Sequence, residues 1–270
     1  MGLILSKRQL GSTNLNLSII GLGTVKFGRN TDVKYPKPFN VLSDAEVYHL
    51  LSKASDIGIN YLDTAPAYGN SEKKIGNALE KLGKKFFLIS KVGEIYEPGI
   101  GSSFNFEIDY MRSSIKKSIE NLKVNYLDVA LLHLGNDEIE QLNSGALENL
   151  FKLKKEGLVK YIGVSGKSKY SAIFALNFGV DVIMIAYNEQ YKDEYPLIEE
   201  ALSRQTGIII KKAFGSGKLI KGPESIRLTL SKCFNNKGIS SIVIGTRDPK
   251  HLEQNFKLIE QNFLESKLNV

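Results

Sequence analysis

Leu127-Asp128-Val129-Ala130-Leu131-Leu132-His133 has a continuous apolar centre. A strand with one wet face alternates apolar and polar residues, whereas a strand buried on both faces does not. Ile208-Ile209-Ile210 has the same character. A helical stretch, 146–156, follows the first of these runs, and the strand-then-helix unit recurs along the chain. Strands are expected at 17–22, 60–63, 86–90, 127–133, 161–165, 180–187, 207–211 and 241–244. Helices are expected at 43–57 (with Ser43 as N-cap), 71–82, 106–122, 146–156, 170–178, 195–204, 223–235 and 249–263. Eight such units in 270 residues point to one α/β domain over 1–270, a closed (β/α)8 TIM barrel and not an open sheet.

Ahead of the first unit, Leu10-Gly11-Ser12-Thr13-Asn14 reads as the turn of an N-terminal β-hairpin. Met1-Gly2-Leu3-Ile4-Leu5-Ser6 fits an N-myristoylation pattern but reads more simply as a strand. The long connections 27–42, 93–105 and 213–222 all follow barrel strands, which puts them on the face where barrel active sites lie. Tyr35, Phe39, Tyr96 and Phe104 in the first two suggest a partly aromatic pocket.

The formal charge of +7 suits a phosphate-bearing ligand, but the basic residues are scattered or in short clusters such as Lys81 to Lys85. No basic segment is interleaved with aromatics, so no nucleic-acid partner is expected. No apolar run approaches the ~18–20 residues a membrane span needs. A single cysteine, Cys233, leaves no internal disulfide and fits a reducing, cytoplasmic location. The three histidines lack metal-ligand spacing, and no metal is expected. Gly21-Leu22-Gly23 has Lys26 where a dinucleotide fingerprint needs a third glycine. Gly166-Lys167-Ser168 has Tyr161 where a P-loop needs its first glycine.

Asp63, Lys91 and His133 fall at strand ends, and Tyr68 lies in the loop after Asp63. These four side chains form a proton-delivery set. An ammonium near a phenol stabilises phenolate and is expected to lower the tyrosine pKa. The carboxylate keeps the lysine charged, and the imidazole is a directional partner for a carbonyl oxygen.

With Gly21-Leu-Gly-Thr24, Leu62-Asp-Thr-Ala-Pro-Ala-Tyr-Gly69, Ser90-Lys91-Val, Leu131-Leu-His133, Gly163-Val-Ser165, Tyr187-Asn188 and Gly245-Thr-Arg247…Asn255-Phe256, the chain resembles the aldo-keto reductases over nearly its whole length. The resemblance implies a nicotinamide cofactor, NADPH (NADP) sooner than NADH. It makes Tyr68 the general acid, tuned by Lys91 and Asp63, with His133 orienting the carbonyl. It implies cofactor contacts from Gly23, Thr24, Lys26 and Asp63, and from Ser165, Gly166, Tyr187 and Lys211. Further contacts are implied for Gly215, Ser216 and Gly217, for Gly245, Thr246 and Arg247, and for Gln254 and Asn255. Arg247 suits a 2′-phosphate.

The chain departs from the family in having Gly166 and Met184 where asparagine and glutamine usually hold the carboxamide. Lys211 replaces the usual stacking aromatic, and His251 adds a basic group. A loosely held nicotinamide, improved by Gly166→Asn with Met184→Gln, is the resulting expectation. The function implied is NADPH-dependent reduction of aldehydes or ketones by a monomer or weak oligomer acting on a small carbonyl substrate. The alternatives are a redox sensor with vestigial turnover and an NAD-dependent aldose dehydrogenase.

Overall fold

The computed structural model describes residues 5–188, 195–254 and 256–258. Its strands are β1 (Lys7–Gln9), β2 (Asn16–Ser18), β3 (Ile20–Gly23), β4 (Tyr61–Asp63), β5 (Phe87–Val92), β6 (Glu94–Glu97), β7 (Gly101–Phe104), β8 (Leu127–His133), β9 (Val159–Ser165), β10 (Val182–Ala186), β11 (Gly207–Lys211) and β12 (Ile239–Ile244). The strands β3, β4, β5, β8, β9, β10, β11 and β12 pair in that order, all parallel, and β12 returns to β3 to close a barrel. Helices Asp44–Asp56, Ser71–Leu82, Ile108–Leu122, Ala146–Lys155, Lys169–Phe178, Tyr195–Ser203 and Pro223–Asn235 connect them. Ser43 caps the first of these in a reciprocal box: its N–H donates to Glu46 Oε2 at 2.7 Å, and Glu46 N–H donates to Ser43 Oγ at 3.3 Å. Residues 249–254 and 256–258 are helical; the remainder of the helix expected to 263, like the segment before Leu5, lies outside the described residues.

Three local features differ from expectation. The run 17–22 is two elements, β2 in the hairpin and β3 in the barrel, and the chain turns between them at Ile19. Leu17, Ser18, Ile19 and Ile20 are all buried on one side or the other, so hydropathy carries no trace of the bend. The connection 93–105 is itself an antiparallel hairpin, β6–β7. Two short helices, Val25–Gly28 and Glu138–Asn143, are too brief for a periodic pattern to announce them.

Apolar packing falls into two layers. The larger lies between strands and helices. The smaller fills the barrel: Tyr61, Ile89, Val129, Leu131, Val182, Met184 and Ile209 point inward and meet Leu10, Leu15 and Leu17 of the hairpin. The β1–β2 hairpin is therefore the floor of the barrel. Arg8 pins it to the last strand's approach, donating to the carbonyls of Phe234 (2.5 Å), Asn236 (3.1 Å) and Ile239 (2.7 Å). Gly21 is required inside: a Cβ there would sit 1.9 Å from the Tyr61 ring. The Tyr61 hydroxyl is satisfied by Ser241 Oγ at 2.7 Å, which in turn donates to Ser18 O.

Leu10 is fully buried and touches the β11 entry at Gly207. Leu10→Ala should cost about 2–5 kcal/mol, the range for a truncated buried leucine. Urea unfolding followed by far-UV circular dichroism measures this; an unchanged midpoint would detach the floor from the cooperative core.

Candidate active site

Strand register explains how distant residues meet. Asp63 pairs with Ile89, and Lys91 lies two residues on; Lys91 pairs with Leu131, and His133 lies two residues on. His133 then pairs with Ser165, Ser165 with Met184, and Met184 with Ile209, two residues before Lys211. Steps of two keep a side chain on one face of a strand, here the inner one. Tyr68 ends a short 3-10 turn, Pro66–Tyr68, and leans over this ring.

Lys91 Nζ donates to Asp63 Oδ1 at 2.5 Å and to Thr64 O at 2.9 Å. It lies 4.9 Å from the centre of the Tyr68 ring. Tyr68 and His133 stand edge to face, centroids 6.2 Å apart. Burial opposes the charge on Lys91, but Asp63 and Tyr68 outweigh it, and the pKa is raised. Tyr68 does not follow the expectation of a lowered pKa. Burial raises it, Lys91 lowers it, and Asp63 cancels part of that help, so the phenol ends above its ordinary value.

One residue that sequence reasoning passed over completes this corner. Glu94, first in β6, puts Oε2 2.7 Å from His133 Nδ1, a close approach that is not aligned as a hydrogen bond. Its Oε1 accepts from Arg29 Nη1 at 3.0 Å and from Ser102 Oγ at 2.6 Å. Burial disfavours the carboxylate, but His133, Ser102 and Arg29 outweigh it and hold its pKa well below the usual range. For His133, burial with Lys91 and Lys211 outweighs Glu94, and the ring is held neutral below its ordinary pKa. A carboxylate only accepts, so the proton of the neutral ring belongs on Nδ1 and the lone pair on Nε2. Arg29 stacks on Tyr96 at 3.4 Å, which takes Tyr96 out of the pocket wall while Tyr35, Phe39 and Phe104 stay in it. Only the position of Glu94, three residues past Lys91 in a loop on the active face, could have drawn notice to it.

These groups open into a cavity of about 1300 Å³, larger than a typical small-ligand pocket of ~300–1,000 Å³. At the quartet's end it is bordered by Gly23, Thr24, Asp63, Ser165, Met184 and Lys211. Lys26, Ser216, Gly217, Gly245, Thr246, Arg247 and Gln254 also line it. Arg247 Nε is buried with no partner. Lys26 lies 4.2 Å over the Tyr35 ring, and its pKa is lowered by burial and by the charge of Arg247. Two adjacent cations with an orphaned donor fit a phosphate.

Three residues grouped with this set do not border the cavity. Gly166 faces away: a Cβ there would fall 2.0 Å from Ser171 Oγ and 3.1 Å from Glu138 Oε1. Asparagine enters only by moving that packing, which works against the expected gain from Gly166→Asn. Tyr187 packs against the outer core. Gly215 turns inward on its own loop, its N–H bonded to Lys212 O at 2.8 Å. Asn255 lies outside the described residues.

A family model described as the aldo/keto reductase family matches residues 19–219. The chain belongs to the aldo/keto reductase family. A crystal structure of PA4992, a putative aldo-keto reductase from Pseudomonas aeruginosa, superposes with a TM-score of 0.85 at 36% identity, covering 97% of each chain. Among curated relatives, L-galactose dehydrogenase of Arabidopsis thaliana is 26% identical over 94% of this chain and 88% of its own. An uncharacterised oxidoreductase of Bacillus subtilis, YqkF, is 28% identical over 80% of this chain and 67% of its own. Aldo-keto reductases are oxidoreductases that use nicotinamide cofactors. Among the described residues no helix is long and apolar enough to cross a membrane.

Lys211 donates to Ser165 Oγ at 2.8 Å and borders the cavity. Burial, then Lys212 and Lys91, pull its pKa from 10.5 down to about 7. Between those values the unfolded chain holds a proton that the folded one has released, so stability climbs with pH, by at most about 1.4 kcal/mol per unit. Lys211→Met should flatten this part of the stability curve and raise stability most at neutral pH. Thermal melts from pH 7 to 10 read the difference in slope; parallel curves would restore an ordinary lysine.

Proposed function

We propose that this protein reduces aldehyde or ketone carbonyls to alcohols with NADPH, and that Tyr68 is the proton donor. The Lys91–Asp63 pair beneath the Tyr68 ring carries the reading. Burial keeps Tyr68 a protonated phenol at neutral pH, ready to give its Oη proton to an oxygen that becomes an alkoxide. Lys91, held charged by Asp63, then stabilises the phenolate left behind. His133 faces the substrate oxygen from the other side, where its Nε2 accepts from the alcohol hydroxyl once the proton has been given. The nicotinamide, when bound, supplies the hydride. Arg247 and Lys26 would hold the 2′-phosphate end, and Ser165 with Lys211 the carboxamide end.

A specific observation favours the reverse direction as a second reading. With Glu94 at Nδ1, the neutral His133 offers a lone pair at Nε2, which accepts from an alcohol hydroxyl and has nothing to donate to a carbonyl. That arrangement suits oxidation of a sugar hydroxyl, and a curated relative is named for L-galactose oxidation. The complete quartet speaks against a sensor with vestigial turnover, which has no need of all four groups.

Tyr68→Phe should lower kcat at least ~10²-fold, the low end of general-acid effects, while cofactor affinity holds. Steady-state rates in both directions on an aldehyde and aldose panel measure it; retention of more than roughly a tenth of the activity is too small an effect for a general acid. Arg247→Ala should weaken NADPH by about 1.5–3 kcal/mol, the scale of a charged hydrogen bond, and NADH far less. Quenching of tyrosine emission titrates both, and equal losses would assign Arg247 to the pyrophosphate or to packing.

A further inference from the structure

Lys34, Lys167 and Lys212 border the cavity from three separate loops, those after β3, β9 and β11. Among the described residues none has a carboxylate at ion-pair distance; Lys167 Nζ reaches the amide oxygen of Asn136 at 2.8 Å. Glu94, Glu138 and Asp137 act on Lys167 from beyond ion-pair distance, and the first two are engaged elsewhere. Glu94 holds His133, Arg29 and Ser102, and Glu138 accepts from the backbone N–H groups of Lys167 and Ser168. The three ammonium groups act on one another: burial, Lys34 and Lys167 lower the Lys212 pKa, and burial and Lys34 lower that of Lys167. Gathering like charges works against folding, and among the described residues Glu138, Glu94 and Asp137 only partly offset it at Lys167, whose pKa stays lowered.

Lys212 is also strained. Its φ of 54° is left-handed, a conformation unfavourable for a non-glycine residue. Its carbonyl is fixed by Asn188 Nδ2 at 2.7 Å and by the Gly215 N–H at 2.8 Å. Strain that the surroundings over-determine is found at ligand clamps. The group is distinct from Lys26 and Arg247, which meet beside Phe39 of the first loop.

We propose that Lys34, Lys167 and Lys212 form an anion subsite that receives a carboxylate or phosphate carried by the carbonyl substrate. The inference rests on the carbonyl reading above and narrows its substrate class to charged aldehydes and ketones. Lys211, deeper and bonded to Ser165, is not part of it.

The experiment pairs anionic with neutral substrates: succinic semialdehyde against butanal, and glyceraldehyde 3-phosphate against glyceraldehyde. Wild type is compared with the triple variant Lys34→Gln, Lys167→Gln, Lys212→Gln, and NADPH affinity is measured for both. Wild type should favour the anionic member in kcat/KM by at least about tenfold, the scale of one charged hydrogen bond. The ratio should fall towards one in the variant and with added salt. Whichever pair shows the larger ratio names the group. A wild-type ratio near one overturns the subsite. So does a loss of NADPH affinity equal to the loss in ratio, which would give the lysines to the cofactor's phosphates. If no carbonyl compound is turned over, the reductase reading fails by itself. The subsite then stands on calorimetric titration of succinate and inorganic phosphate, and equal binding to both proteins overturns it.

Discussion

An ammonium and a carboxylate 2.5 Å apart, each almost cut off from water, are the constraint around which this barrel mouth is arranged. Removing two ions from water is costly, and their attraction offsets it only when the geometry is good and spare hydrogen bonds are met. Here Lys91 uses a second proton on Thr64 O. Two adjacent strands in fixed register set the distance, so the pair needs the closed sheet as much as the sheet tolerates the pair. Losing either partner would strand a charge in the interior, a far larger penalty than losing both. The phenol above inherits this field: burial raises its pKa, and the ammonium beneath it opposes part of that rise.

The barrel was legible because its signal is redundant. Eight continuous apolar runs at even spacing have few other solutions. Asp63, Lys91 and His133 were legible for a related reason, since strand ends on one face converge whatever the loops do. Features set by tertiary contact were not. The bend at Ile19 is hidden by burial on both of its sides. Glu94 matters only because a hairpin folds it back onto His133, and nothing in Gly93-Glu94-Ile95 states that. Gly166 seemed a missing amide holder, but Ser171 and Glu138 fill the space a side chain would need. The direction of the Tyr68 shift turned on two opposed effects whose balance requires the burial to be known.

The two walls of the mouth are coupled through Arg29. It belongs to the first loop, bonds Glu94 of the hairpin, stacks on Tyr96, and also reaches the carbonyls of Ala67 and Asp32. Tyr96 closes the circuit on Asp32 Oδ2 at 2.9 Å. A displacement of the first loop therefore reaches the imidazole through one carboxylate, Glu94.

The floor of the barrel has a consequence for biosynthesis. Leu10, Leu15 and Leu17 are made well before Ile209, which is part of their cover, and Arg8 before the carbonyls of Phe234, Asn236 and Ile239 that it binds. At roughly 5–20 residues per second, synthesis leaves that apolar hairpin without its partners for on the order of ten seconds or more. Closure of the floor then waits on the last strands of the barrel, and until those are made the hairpin's leucines lack part of their cover.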